Sequence, residues 1–260
     1  MRVAYHGAGF YGWQRQDGFE SVQEALEEAF EGLLGTRVIV HGAGRTDTGV
    51  HALGQVASCH LDTPLDDHRL QRALNAHLDE RVAVTRLETC RPDFHARFDA
   101  RGKRYAYLIA TASFRPPFSV DLCHWVRDPL DLEAMRAAAR HFVGEQDFAA
   151  LASAGSPRAS TVRTLRRVRL VPRARSLAIV VEGDGFLYNM VRTIAGTLLD
   201  VGRGRFEPGD VRAMLDSRDR RRAGPTAPAA GLWLLRVKYD EPLFPGRVRG
   251  PRGAPGVFQY

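Results

Sequence analysis

Asp47 and Arg45 stand two residues apart in the stretch Gly42-Ala43-Gly44-Arg45-Thr46-Asp47-Thr48-Gly49-Val50-His51-Ala52. A carboxylate mounted on such a loop can serve as a nucleophile or a general base, and a nearby guanidinium can hold a phosphate. The glycines at 42, 44 and 49 permit close approach, and Thr46 and Thr48 offer hydroxyls to the carboxylate or the local backbone. The ordinary alternative is an Asp- and Gly-rich turn with no chemistry. The remainder of the chain has to decide between the two.

Three further places carry suitable residue types. Tyr105 lies beside Lys103 and Arg104 in a strand-like run, where a phenol can stack on a base and handle a proton; the alternative is an ordinary half-buried strand tyrosine. Arg192 sits in an apolar run with Leu187, Val191, Ile194 and Leu198 on one helical face and Tyr188, Ala195, Gly196 and Leu199 around the arginine. A helix apolar on both sides is buried, and a buried arginine needs a partner, by expectation a carboxylate, of which Asp47 is the useful one; the alternative is an arginine that snorkels to water along its stem. The histidines His41, His51, His60 and His95 show none of the HxH, HExxH or Cys-His spacings of a metal site. No Gly-x-Ser-x-Gly elbow is present. Gly7-Ala8-Gly9-Phe10-Tyr11-Gly12 matches GxGxxG, but Trp13-Gln14-Arg15-Gln16 follows where a dinucleotide site requires a helix.

The elements that position these residues can be read from periodicity. A strand begins at Val3 to Tyr5. Ser21-Val22-Gln23-Glu24 is a capping box that opens a helix closed by Gly35. Arg37 to Val40 and Gln55 to Leu61 read as strands on either side of the Asp47 loop, Asp67 to Leu78 as a helix, and Val82 to Leu87 as a strand. Arg91 to Arg101 bridges to a second half. That half has strands at Lys103 to Ile109, Thr164 to Val171, Leu177 to Glu182 and Leu232 to Tyr239, with helices at Leu132 to Val143, Phe186 to Val201 and Gly209 to Ser217. The first half follows the strand, helix, strand, strand, helix, strand order of a ferredoxin-like unit. The expected organisation is an N-terminal α/β subdomain over residues 1–100, a C-terminal one over 101–243, and a Pro-, Gly- and Arg-rich tail over 244–260 that is expected to be poorly ordered.

Composition sets the setting. The chain has 260 residues and a formal net charge of +7, and its only lysines are Lys103 and Lys238. Arginine matches phosphates bidentately and stacks on bases, so the excess suits a nucleic-acid partner. No apolar run approaches the roughly 20 residues of a membrane span. The three cysteines suit neither a disulfide framework nor a zinc site, which fits a reducing cytoplasm.

Gly44-Arg45-Thr46-Asp47-Thr48-Gly49-Val50-His51-Ala52 resembles the active-site signature of the tRNA pseudouridine synthase A family. Tyr5-His6-Gly7 with Phe10-Tyr11-Gly12-Trp13-Gln14, Phe94-His95-Ala96-Arg97-Phe98, Lys103-Arg104-Tyr105-Ala106-Tyr107 and Met190-Val191-Arg192 agree in order, as do Thr161-Val162-Arg163 and Gly231-Leu232 more weakly. His6 stands where the family often has Asp. The resemblance implies isomerisation of uridine to pseudouridine at positions 38 to 40 of the tRNA anticodon stem-loop, without metal or organic cofactor. It implies Asp47 as the catalytic aspartate and Tyr105 against the target base. Arg192 would pair with Asp47, Arg45 would flip or hold the nucleotide, and Leu232 would touch the substrate. The implied fold is α+β: two ferredoxin-like, RRM-like subdomains joined into one mainly antiparallel sheet with a central cleft, assembled as a homodimer.

Two other readings compete. A non-catalytic RNA-binding protein would share the charge and the strand aromatics but has little use for Asp47. A small-molecule enzyme is the third reading, and tight binding to tRNA but not to free uridine would count against it.

Overall fold

The computed structural model describes residues 1–153, 160–241 and 243–244. The chain divides into two compact units, Met1–Arg101 together with the chain from Leu234 onward, and Gly102–Trp233.

In the first unit, β1 (Arg2–Tyr5) leads to α1 (Val22–Leu34). Ser21 Oγ accepts from Glu24 N at 3.2 Å, and Gly35 ends the helix in the left-handed conformation. Val22, Leu26, Ala29 and Phe30 turn to the core. There follow β2 (His41–Gly42), β3 (His51–Ser58), α2 (Asp67–His77) and β4 (Val82–Arg86). β1 is the middle strand between β3 and β4, antiparallel to both. Its register against β3 shifts between Val3↔Gln55 and Tyr5↔Ala52, an irregularity of the kind that re-aims side chains near a site. α1 packs on α2, and α2 on β4.

Two expectations for this unit need correction. Arg37 to Val40 is not a strand; the ladder is only His41–Gly42. Val38 and Val40 are buried and Ile39 is exposed, as the alternation requires. However, Val40 N–H donates to Glu27 Oε1, and its carbonyl accepts from Gln23 Nε2, each at 3.2 Å. Helix side chains satisfy the backbone that a neighbouring strand would otherwise pair. The strand after the Asp47 loop also starts at His51 rather than Gln55.

The second unit holds β5 (Gly102–Ala110), β6 (His124–Trp125), α3 (Leu132–Arg140), β7 (Gly144–Asp147), β8 (Val162–Arg173), β9 (Ser176–Gly183), α4 (Met190–Gly202) and α5 (Asp210–Ser217). The strand order is β5-β9-β8-β7, antiparallel throughout, with β6 parallel beside β5. α3 packs on α4 and β8, and α4 on β5. The last strand, β10 (Leu232–Lys238), carries the chain back to the first unit. There Lys238 O accepts from Arg101 N at 2.8 Å. Both units are mixed α/β with mainly antiparallel strands, the class the element order implies.

α4 starts at Met190, not Phe186. Asn189 caps it at φ 61°, a left-handed conformation that Asn tolerates better than most residues. Apart from half-buried Arg192, the whole helix is buried, as its two apolar sides predict. α3 stops at Arg140, two tighter turn bonds taking over at His141 and Phe142. Of the tail, Phe244 is buried, with the Arg2 guanidinium 5.6 Å from its ring centre; residues 245–260 lie outside the described residues. Among the described residues, no helix is long and apolar enough to cross a membrane.

Candidate active site

The Asp47 loop is held by a second loop of the first unit, residues 7–14. Trp13 N donates to Thr46 O at 3.0 Å, and Gly49 N to Phe10 O at 3.3 Å. Gly7 N donates to His51 Nδ1 at 2.9 Å. Tyr5 Oη and Thr46 Oγ1 lie 2.8 Å apart, both buried. From the other side, Gln55 Nε2 donates to Gly44 O at 2.8 Å and Ala43 N to Val56 O at 2.8 Å. Asp47 O closes the turn by accepting from Val50 N at 3.1 Å.

Backbone meets backbone here only because two residues lack a Cβ. At Gly7 a Cβ would fall 2.1 Å from Val50 O; at Gly12, with φ +90°, it would fall 2.4 Å from Thr46 O. The GxGxxG spelling thus records close packing onto the Asp47 loop, not a phosphate cradle. Nothing in the local sequence pattern connects residues 7–14 to Asp47. The available signal was the pair of glycines around Phe10 and Trp13, which no local element explains.

Asp47 itself is half-buried and Arg45 is exposed, its Nε donating to Gln14 Oε1 at 3.2 Å. Burial pushes the Tyr5 phenol well above the usual tyrosine range; hydrogen bonds to Thr46 and Gln55 oppose this, and the Asp47 charge adds to it. Tyr5 is therefore a neutral phenol at physiological pH. His51, wholly buried, is spent on Gly7 and lies 4.9 Å, ring to ring, from His6. Among the described residues, no group of three or more His, Cys, Asp or Glu is placed to hold a metal ion.

Tyr105, Arg192 and Leu232 belong to the second unit, whereas Asp47 and Arg45 belong to the first. Tyr105 is on β5, 7% exposed, with its ring edge-on to Phe186 at 5.1 Å and 80°. Next to it, Arg104 pairs with buried Glu182, Nη2 to Oε2 at 2.7 Å. Arg192 is in the first turn of α4. Its Nε donates to Ala227 O at 2.7 Å and its Nη1 to Asn189 Oδ1 at 2.8 Å, which fixes the plane of the guanidinium. The segment supplying Ala227 lies directly on α4. A Cβ at Gly196 would fall 1.8 Å from Pro225 O, and Gly224 N donates to Thr197 Oγ1 at 3.1 Å. The same segment accepts from Tyr107 Oη, at Pro228 O, at 2.9 Å. Leu232, 6% exposed, is the first residue of β10. The sequence pattern does not reveal this strap, because the carbonyl that partners Arg192, Ala227 O, lies in a stretch of Gly, Pro, Thr and Ala with no periodicity.

The family model described as tRNA pseudouridine synthase matches residues 1–99 and 138–240. This chain belongs to that family. Among relatives named tRNA pseudouridine synthase A, that of Acetivibrio thermocellus is 42% identical over 237 residues, covering 91% of this chain and 97% of its own. That of Geobacillus kaustophilus is 43% identical over 242 residues, covering 92% and 93%. That of Shouchella clausii is 41% identical over 254 residues, covering 95% and 97%. The chain is thus an enzyme of the isomerase class, a tRNA pseudouridine synthase.

Proposed function

We propose that the protein isomerises uridine to pseudouridine at positions 38 to 40 of the anticodon stem-loop, with Asp47 as the catalytic group. In this reaction the C1′–N1 bond breaks, the base turns, and C5 bonds to C1′. The C5 hydrogen leaves and N1 gains one, so the product has the formula of the substrate. The change is redox-neutral and calls for no cofactor. It does call for a carboxylate at the sugar, acting as nucleophile on C1′ or as base on a sugar proton. It also calls for a base held out of its stack on an aromatic surface.

The observation that carries this reading is the tethering of the Asp47 backbone. The residue before it is bonded through its carbonyl to Trp13 and through its hydroxyl to Tyr5. A carboxylate so restrained is preorganised, which is how position contributes to rate. In this proposal Tyr105 supports the target base and assists its proton transfers. Arg192 keeps Asp47 ionised and aimed, Arg45 holds the flipped nucleotide, and Leu232 touches the substrate. The enzyme acts on tRNA as a cytoplasmic homodimer.

The test is tritium release from a tRNA transcript labelled at uridine C5. Wild type should release label from the anticodon stem-loop. Asp47→Asn should release none above background while binding tRNA as wild type does. Turnover by Asp47→Asn within tenfold of wild type would assign the chemistry to another residue.

A further inference from the structure

Ala96 anchors a turn of the first unit that takes no part in the site described above. Its N–H donates to Ser58 Oγ at 3.1 Å and its carbonyl accepts from Tyr239 Oη at 2.7 Å. Its side chain is wholly buried. Asp99 Oδ2 closes the turn, accepting from His95 N and from Arg91 Nη2, both at 2.9 Å. Ser58 is also the cross-strand partner of His41. One residue therefore registers the turn against β2, the strand that runs into the Asp47 loop.

On this support the turn displays two rings and a charge, and His41 of β2 adds a third ring. Phe98 is 71% exposed. The His95 ring lies 4.3 Å from it, tilted by 36°, and the His41 ring lies 5.2 Å from His95. The Arg97 guanidinium is 5.7 Å from the Phe98 centroid. Arg97 N donates to His95 Nδ1 at 3.1 Å, so a neutral His95 carries its proton on Nε2.

Leaving a phenyl ring in water gives folding nothing, since burial is what makes it stabilising. Here a well-bonded turn holds it there. Stacked rings beside an arginine are what an unstacked base binds, whatever its identity, because every base has a π-face. We propose that Phe98, backed by His95 and flanked by Arg97 and His41, is a stacking platform for an unpaired base of the tRNA other than the one isomerised. The proposal rests on the reading of the chain as a tRNA-modifying enzyme. It adds a positioning contact on the first unit, continuous through β2 with the Asp47 loop.

The test compares wild type, Phe98→Ala and Phe98→Trp with a full tRNA transcript and with the isolated anticodon stem-loop. Phe98→Ala should raise Kd and KM by roughly five- to a hundredfold, the range of one lost base stack. Its kcat should stay within twofold, and Phe98→Trp should restore binding. Replacing loop nucleotides one at a time with abasic residues should find one position where wild type and Phe98→Ala bind equally. Unchanged Kd in Phe98→Ala, additive losses at every abasic position, or failure of Phe98→Trp to restore binding at unchanged Tm would each overturn the platform. So would a lower mass by light scattering for Phe98→Ala, which would show that a second copy covers the ring. Absence of tritium release from wild type would instead overturn the functional reading, and the Kd comparison would still decide the platform.

Discussion

Tyr5 Oη and Thr46 Oγ1 share a buried hydrogen bond of 2.8 Å, which ties β1 to the residue preceding Asp47. The bond lies beside the shift in register between Val3 and Tyr5 against β3. Tyr5→Phe removes only the hydroxyl and leaves Thr46 without that partner. The expected cost is about 1 kcal/mol of stability, the usual worth of such a bond. Turnover should fall more than tRNA affinity, because the change loosens Asp47 and not the binding surface. Denaturant titration, tritium release and a filter-binding isotherm measure the three quantities. Equal turnover in Tyr5→Phe and wild type would show that this tether does not position the carboxylate.

Gly12 supplies a sharper probe of the same packing. Alanine there meets two penalties, φ of +90° and a Cβ 2.4 Å from Thr46 O. Gly18 has a similar φ, +80°, but nothing within 4 Å of its Cβ site. Both substitutions carry the left-handed strain of roughly 1–2 kcal/mol, so their difference isolates the collision with the Asp47 loop. Gly12→Ala should lose turnover at least tenfold and Gly18→Ala should remain near wild type. Similar activities in the two variants would mean the loops do not need to touch for catalysis.

Most of the element order was legible because it rests on local rules. Ser21 and Gly35 bracket α1 by capping chemistry, and the apolar runs of β5 and β9, Tyr105 to Ala110 and Leu177 to Val181, mark strands buried on at least one face. The burial of α4 could be read from its two apolar sides. Its start could not, since Phe186 and Leu187 are apolar in either state and only the left-handed Asn189 breaks the helix. The Arg37 to Val40 stretch shows the converse: side chains alternate as in a strand, yet Gln23 and Glu27 take the backbone bonds of Val40. Asp47, Tyr105 and Arg192 stood out by residue type and motif. What holds them did not, because Trp13, Tyr5 and Ala227 contribute through long-range packing and through carbonyls that carry no residue-specific mark.

His124 gives the fold a pH dependence of known sign. Burial lowers its pKa below the usual histidine value, and the Arg203 charge lowers it further. The folded state then prefers the neutral ring, and the unfolded chain binds the proton more readily. Stability should therefore rise with pH up to the ordinary histidine range, about 6.5, and level off above it. Below that range it should fall as acid draws protons to the unfolded state. His124→Gln should flatten this limb in a series of denaturant midpoints from about pH 5 to pH 8. An unchanged limb would assign it to other groups.

Arg192 tests whether a fork or merely a charge is needed at the start of α4. Its Nε and Nη1 reach two separate acceptors, Ala227 O at 2.7 Å and Asn189 Oδ1 at 2.8 Å. A lysine ammonium is a single point on a flexible stem and cannot span both while keeping the same aim. Arg192→Lys should retain the positive charge, lose the fixed plane, and lose the Nε bond to Ala227 O, while Ala227 N keeps its bond to the carbonyl of residue 192. Turnover should drop by about two orders of magnitude, with Kd for tRNA within a few-fold, since misplacing a group by about 1 Å costs that much. Arg192→Ala should fare worse in stability as well, because the carbonyl of buried Ala227 and the half-buried Asn189 Oδ1 lose their donor. If Arg192→Lys turned over as wild type does, charge alone would suffice and the strap would have no part in catalysis.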